Sequence, residues 1–323
     1  MKLFKSQPQM PAARRRCGGI LDAAFSLVEI MVVIALLSLI ILALMTVFNS
    51  TQTAFRASVT QTDVQEGSRM AMDMIATDLR AMTPSDGYGT NYGSVNLFGA
   101  VNFYANTNIY YSSVFNEPLV QSLAPGSVLR TNVLQDVFIL SKVNTTWTGI
   151  GYVVDFGSTK YVNPLYRFSQ SMDERAGNPL RLFTNFTGQV AYNLDQEYQS
   201  VPNADTNWSK MGRLLTGVVH FSVRAYGTNG QVLSVLCTNG PTEISYFSNM
   251  FGTDGLTAYS NVVPAMVELQ LGVLEDRSLR HAEGLVDVAN VYSRSNYLAT
   301  QAGKVHLFRQ QISIPNFDPA AYQ

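Results

Sequence analysis

The carboxylate of Glu29 stands at the start of a long apolar run, where it requires a partner. From Ile30 to Phe55 the sequence contains no charged residue, and residues 30–48 are almost wholly apolar. A carboxylate entering a bilayer costs about 2.5–3.5 kcal/mol on insertion scales, so this acid needs a counter-ion or a functional role. If the chain is cut after Ala24, the new α-amino group of Phe25 lies four residues from Glu29. The ammonium group of a neighbouring copy could then pair with that carboxylate in an assembly.

Other residues capable of chemistry are scattered. The three histidines, His220, His281 and His306, are far apart and lack the spacing of a metalloprotease motif. We find no spaced catalytic triad, phosphate loop or dinucleotide fingerprint. Cys17 lies before the apolar run and Cys237 far after it, which predicts a free thiol and not a disulfide framework. The chain is therefore expected to be non-enzymatic, with no catalytic residues.

One short loop could hold a cation. Residues 252–255 read Gly-Thr-Asp-Gly, and a loop carboxylate is a calcium ligand. Calcium takes about 6–8 oxygen ligands, against which a single aspartate is weak evidence. We predict no metal and no cofactor, with calcium at this loop as the open alternative.

The charged residues are distributed unevenly along the chain, although their total is nearly balanced. The 22 Lys and Arg nearly balance the 23 Asp and Glu, so the basic excess typical of nucleic-acid binding is missing and no nucleic-acid partner is predicted. Five of the basic side chains and one of the acidic ones precede residue 25, which leaves residues 25–323 with a formal charge of −5. A basic segment before an apolar helix predicts a cytoplasmic N-terminus and an exported C-terminal domain.

Residues 25–29, Phe-Ser-Leu-Val-Glu, stand between a basic leader and an apolar stretch long enough to cross a bilayer, which takes about 20 helical residues. This arrangement resembles the class III signal of the type IV prepilin family, although Ala24 stands where the family normally has glycine. The resemblance implies that a prepilin peptidase removes the leader, residues 1–24, and methylates Phe25. It also implies that Glu29 directs assembly with other pilins or pseudopilins, after the helix leaves the inner-membrane lipid.

The helix is expected to continue past the membrane. Residues 49–82 contain no proline, and Met72, Ile75, Leu79 and Met82 recur at helical spacing. We predict that this stripe packs on the chain's own globular domain. Because Pro84 disfavours a helical conformation at the residue before it, the helix should end near Met82.

The region from residue 83 to 323 is predicted to be the exported globular α+β domain. Alternation of apolar and polar residues indicates strands at 218–226 and 267–273, and further strand candidates are 136–143, 151–156, 231–237 and 304–314. A hairpin is expected to join 218–226 to 231–237, and a helix is expected over much of 276–298. The uncharged Tyr/Asn-rich segment 87–116 is interpreted as irregular strands and turns. We predict a pilin-like α+β fold: one long N-terminal transmembrane and stalk helix, residues 25–82, packed on an antiparallel sheet with insertions.

Within the C-terminal half, a second resemblance narrows the function. Three segments resemble those of the J-type minor pseudopilin of type II secretion. They are the strand at 214–226, the segment Val-Pro-Ala-Met-Val-Glu-Leu at 263–269 and the last strand, which passes through Arg309. We expect a structural subunit of a pseudopilus, at the inner membrane and in the periplasm. The alternatives are a minor type IV pilin of a pilus or DNA-uptake machine, and a membrane-anchored exported enzyme or binding protein.

Overall fold

A computed structural model describes residues 26–85, 100–107, 120–122, 129–155, 161–198, 211–233, 244–248, 254–285 and 291–322. Several predictions fall outside these ranges. They are the leader 1–24 and its cleavage site at Ala24 and Phe25, and the cysteines Cys17 and Cys237. Most of the Tyr/Asn-rich segment 87–116 and the residues Gly252 and Thr253 of the calcium loop also lie outside. The chain divides into two compact units, Met1–Arg56 and Ala57–Gln323.

Helix α1 spans Leu27–Arg80, which confirms the long N-terminal helix and places its end two residues before Met82. In the second unit, one stripe of this helix is buried, with Met72 5% exposed and Ile75, Leu79 and Met82 fully buried. These side chains belong to the main apolar cluster of the domain, as predicted. The Met82 carbonyl accepts a hydrogen bond from the Asn316 side chain at 2.9 Å, so the far end of the chain closes the end of this helix.

A seven-stranded antiparallel sheet forms the larger part of the domain. Its seven strands are β1 (Val101–Thr107), β4 (Gln135–Val143), β5 (Thr146–Val154), β6 (Leu165–Asp173), β7 (Gly212–Leu215), β9 (Ile244–Ser248) and β10 (Asp254–Tyr259). Their order along the sheet is β7-β6-β5-β4-β1-β10-β9. Two further strands, β2 (Val120–Ser122) and β3 (Leu129–Thr131), pair with each other.

A separate three-stranded antiparallel sheet contains β8 (Val218–Tyr226), β11 (Met266–Leu274) and β12 (Val305–Ser313), which confirms three of the predicted strands. Their order along the sheet is β12-β11-β8. In place of the single sheet that we expected, the described residues form these two larger sheets and the short β2–β3 pair. The two larger sheets are in contact. They meet where the Phe221 N–H donates to the Val133 carbonyl at 2.8 Å, beside an isolated parallel bridge between Leu134 and Phe221.

The seven-stranded sheet is covered on both faces. Successive side chains of a strand point to opposite faces. Val137 and Ile139 of β4 therefore join the cluster that contains α1, whereas Phe138 and Leu140 join a second cluster. That second cluster includes helix α2 (Leu180–Tyr198), which the sequence analysis missed.

Strand β5 needs glycine where α2 crosses it. A Cβ atom added at Gly151 would overlap the ring of Phe186 on α2, and one added at Gly149 would lie 2.8 Å from Cβ of Leu182. Strand residues without side chains let the helix approach the sheet backbone closely. The α+β class is therefore confirmed, but the seven-stranded sheet lies between two helices.

The predicted C-terminal helix is two helices. Helix α3 spans Asp276–Gly284, and helix α4 spans Val291–Thr300. The hairpin after β8 is present as a turn, in which the Gly227 N–H donates to the Gln231 carbonyl and Gly230 has φ of 75°. Within the described residues, the predicted strand at 231–237 is reduced to a bridge between Val232 and Tyr226.

Candidate functional site: the exposed apolar helix and the polar clusters of the domain

The first part of α1 presents an exposed apolar surface on all sides. Its large apolar side chains between Leu27 and Phe48 are 49–74% exposed. An apolar patch of this size in water marks a surface that meets lipid or protein. Among the described residues, α1 is the one helix whose length and composition would let it cross a membrane.

Glu29 lies in the first turn of this helix and is exposed. The Ser26 hydroxyl accepts the Val28 N–H at 3.2 Å, and the Ser26 carbonyl accepts the N–H groups of Glu29 and Ile30. A serine cap followed three positions later by glutamate has the spacing of a capping box. The positive end of the helix dipole favours a carboxylate here. Within the described residues, Glu29 has no ion-pair partner.

The hydroxyl groups of the apolar stretch are satisfied inside the helix. Ser38 donates to the Ala35 carbonyl, Thr46 to the Leu42 carbonyl and Thr51 to the Val47 carbonyl, each at 2.8 Å. Polar groups inside a bilayer must be paired internally because water is missing there. These three hydroxyls are therefore compatible with a lipid environment.

In the domain, an ionic clamp joins α1 to the seven-stranded sheet. Arg167 on β6 holds Asp78 of α1 in a two-pronged contact, with Nε to Oδ2 at 2.8 Å and Nη2 to Oδ1 at 3.1 Å. The Tyr152 hydroxyl on β5 also donates to Asp78. Burial and the hydrogen bond to Asp78 raise the pKa of Tyr152. The C-terminal end of α1 is thus fixed to the domain by polar contacts as well as by its apolar stripe.

A second polar cluster lies on the outer face of the three-stranded sheet. Glu268 on β11 is fully buried, and it accepts hydrogen bonds from Arg309 at 2.7 Å, Tyr226 at 3.1 Å and Gln270 at 2.5 Å. These bonds, above all the one from Arg309, lower the pKa of Glu268 to about 2. The three donors hold this buried carboxylate in its charged form.

A third cluster contains a buried acid without a cation. Asp136 on β4 pairs in register with Asn106 on β1, and both are at least 91% buried. The Oδ1 atom of each has no hydrogen-bond partner in the described part of the chain. Burial raises the pKa of Asp136 to about 8, so this side chain is a neutral acid at pH 7.

The histidines are not brought together. His220 is buried on β8, where its Nδ1 accepts the Val133 N–H at 3.1 Å, and burial together with the nearby Arg130 lowers its pKa to about 4. His281 packs on Tyr297 with ring centres 4.6 Å apart, and His306 lies on β12. Across the described ranges, no group of three or more His, Cys, Asp or Glu side chains could hold a metal. Asp254, from the loop considered for calcium, begins β10.

Three of these features were missed by the sequence analysis: the clamp at Asp78, the Glu268 cluster and the Asp136–Asn106 pair. Each joins residues from different strands or from a helix and a strand, so local spacing carries little signal. Asp78 is the exception, because its position beside the apolar stripe, between Ile75 and Leu79, was a local signal that it lies next to the core.

Comparison with known proteins returned no matching family model, no matching curated protein and no matching solved structure.

Proposed function

We propose that this chain is a structural, non-enzymatic minor pseudopilin of a type II secretion pseudopilus. A prepilin peptidase cleaves it after Ala24 and methylates Phe25. The mature helix then leaves the inner membrane and packs against other pseudopilins in a filament. The domain of residues 83–323 faces the periplasm.

One observation carries this proposal: a lone carboxylate, Glu29, in the first turn of an exposed apolar helix that continues without a break into an α+β domain. In a simple anchor the carboxylate makes insertion less favourable by about 2.5–3.5 kcal/mol. Its position at the N-terminus of the helix offsets only about 0.3–1 kcal/mol of that cost. An ammonium group from a neighbouring subunit would compensate that cost within an assembly. The basic leader before the apolar segment adds to this support, since it orients the N-terminus toward the cytoplasm.

Cleavage after Ala24 is tested by mass spectrometry of the full chain, purified from cells that contain a prepilin peptidase. We expect a mature protein that begins at Phe25 and is one methyl group heavier than the cleaved sequence. The matched variant Ala24→Gly restores the residue normal for the family and should be cleaved at least as completely. A protein that begins at Met1 or Lys2, with no species starting at Phe25, would contradict the proposal and favour a plain membrane anchor.

The role of Glu29 is tested by crosslinking in cells. We expect Glu29→Ala to reduce crosslinks to other pilin-like subunits about tenfold, which corresponds to a loss of ~1.4 kcal/mol in association. Asp63→Ala provides the matched control, because Asp63 is an exposed acid further along the same helix. Equal crosslinking by wild type and Glu29→Ala would show that the acid has no part in assembly.

A further inference from the structure

The strand β12 forms an edge of the three-stranded sheet. It pairs with β11 over nine consecutive residues, from Val305 to Ser313, without a register shift. An edge strand exposes a row of backbone donors and acceptors to which another strand can bind. The length and regularity of β12 make it a suitable template.

The hydrogen bonds at the two ends of β12 show which groups face the free edge. The Ile314 N–H donates to the Ala265 carbonyl, and the Lys304 carbonyl accepts the Glu275 N–H. In an antiparallel ladder, alternate residues direct both backbone groups to the same neighbour. The even-numbered residues of β12 therefore bond to β11, and the odd-numbered ones point away. Those pointing away are Val305, Leu307, Arg309, Gln311 and Ser313. The Val305 N–H donates to the Ala302 carbonyl. The backbone groups of the other four have no partner in the described part of the chain.

This edge lacks the usual protection against strand addition. Natural edges are commonly blocked by charged side chains, above all lysine, by proline, by a bulge or by a very short strand. The sequence of β12, Val-His-Leu-Phe-Arg-Gln-Gln-Ile-Ser, contains no proline or lysine. Its one arginine, Arg309, directs a guanidinium nitrogen onto Glu268 at 2.7 Å. Leu307 is 48% exposed beside it.

A second copy of the same strand fits this edge poorly. Antiparallel pairing of two β12 strands over their full length would place Arg309 directly opposite Arg309. Like charges in directly opposed positions destabilise a strand pair. Any shifted register shortens the ladder, so self-pairing loses either hydrogen bonds or charge compatibility.

The charge of the sheet face favours an acidic partner. The outward side chains of the three strands include Arg224 and Arg309, both exposed, and one acid, Glu268, which is fully buried. This face is therefore locally positive, in a domain whose overall formal charge is negative. An acidic side chain on an added strand would complement it.

We propose that the free edge of β12 binds an extended segment of another protein as a fourth strand, with an acidic side chain next to Arg309. Backbone hydrogen bonds to the odd-numbered residues supply the binding, and the acid sets the register. This interaction goes beyond the proposed function and depends on neither Ala24 nor Glu29.

The test measures amide hydrogen exchange at single residues in the full chain, held in detergent micelles. The probe is a nine-residue peptide of alternating threonine and valine with glutamate at its centre, at millimolar concentration. We expect it to slow exchange of the Leu307, Arg309 and Gln311 amides at least tenfold. The same peptide with central lysine should bind at least tenfold more weakly.

Gln311→Pro removes one outward N–H while keeping every bond to β11, so it should abolish the protection, whereas Gln311→Ala should retain it. Three results would overturn the proposal. They are slow exchange of the odd-numbered amides without peptide, equal binding of both peptides or of neither, and protection that survives in Gln311→Pro. Protection that rises with protein concentration, together with a dimer in sedimentation, would assign the edge to a second copy instead.

Discussion

Replacing Asp78 by alanine is expected to lower the free energy of unfolding by about 3 kcal/mol. The substitution leaves Arg167 without its counter-ion and Tyr152 without its acceptor. Breaking a buried ion pair by removing one partner costs about 3–5 kcal/mol, and the lower end applies because Arg167 is 26% exposed. Urea denaturation of the full chain, followed by tryptophan fluorescence to which the buried Trp147 contributes, measures the change.

The control for Asp78 lies on the same helix. Asp73 is exposed, so Asp73→Ala should change stability by less than about 0.5 kcal/mol. The double variant Asp78→Ala/Arg167→Ala should lose less stability than the sum of the losses of the two single variants, because each single substitution already removes the same contact. If Asp78→Ala unfolds at the same urea concentration as Asp73→Ala, the clamp does not stabilise the domain.

Asp136→Asn is expected to stabilise the protein, increasingly so as the pH rises. The pKa of Asp136 is raised from 3.8 to about 8, so the folded chain holds a proton that the unfolded chain releases. Between about pH 4 and pH 8, wild-type stability should therefore fall with rising pH, by up to about 1.4 kcal/mol per unit. Asparagine does not titrate, and its amide can donate to the unpaired oxygen of Asn106.

The stability gained by Asp136→Asn is the difference between its free energy of unfolding and that of the wild type. We expect this gain to be about 3 kcal/mol larger at pH 8 than at pH 5. Urea midpoints at the two pH values measure this difference. Asp73→Asn, which removes an exposed acid on α1, is the matched control. Parallel stability curves for wild type and Asp136→Asn would mean that the folded state does not hold this proton.

The strands predicted best from sequence are those with apolar side chains on one face and mostly polar side chains on the other. β8 and β11 alternate clearly because their inner residues, such as Val223 and Leu269, face the buried cluster while Arg224 and Gln270 do not. By contrast, β5 is covered on both faces and carries Gly149 and Gly151, so its pattern resembles a turn-rich segment. The sequence therefore located only its second half.

The candidate site likewise contains one feature that could be predicted from sequence and others that could not. Glu29 was found from sequence because its signal is local: an acid at a fixed distance from a basic leader and an apolar run. The clamp could not be found in this way, since Asp78 lies 74 residues from Tyr152 and 89 from Arg167. Contacts of such separation depend on the order of strands in the sheet, which no local pattern specifies.

The bond between Asn316 and Met82 has a consequence for biosynthesis. The two residues are 234 positions apart, and Ile312 and Ile314 cover the same cluster as the helix stripe. At ~5–20 residues per second, a ribosome needs about 12–47 s to make that interval. The helix that emerges first is thus enclosed last, and its apolar stripe needs a chaperone or the membrane surface during that time.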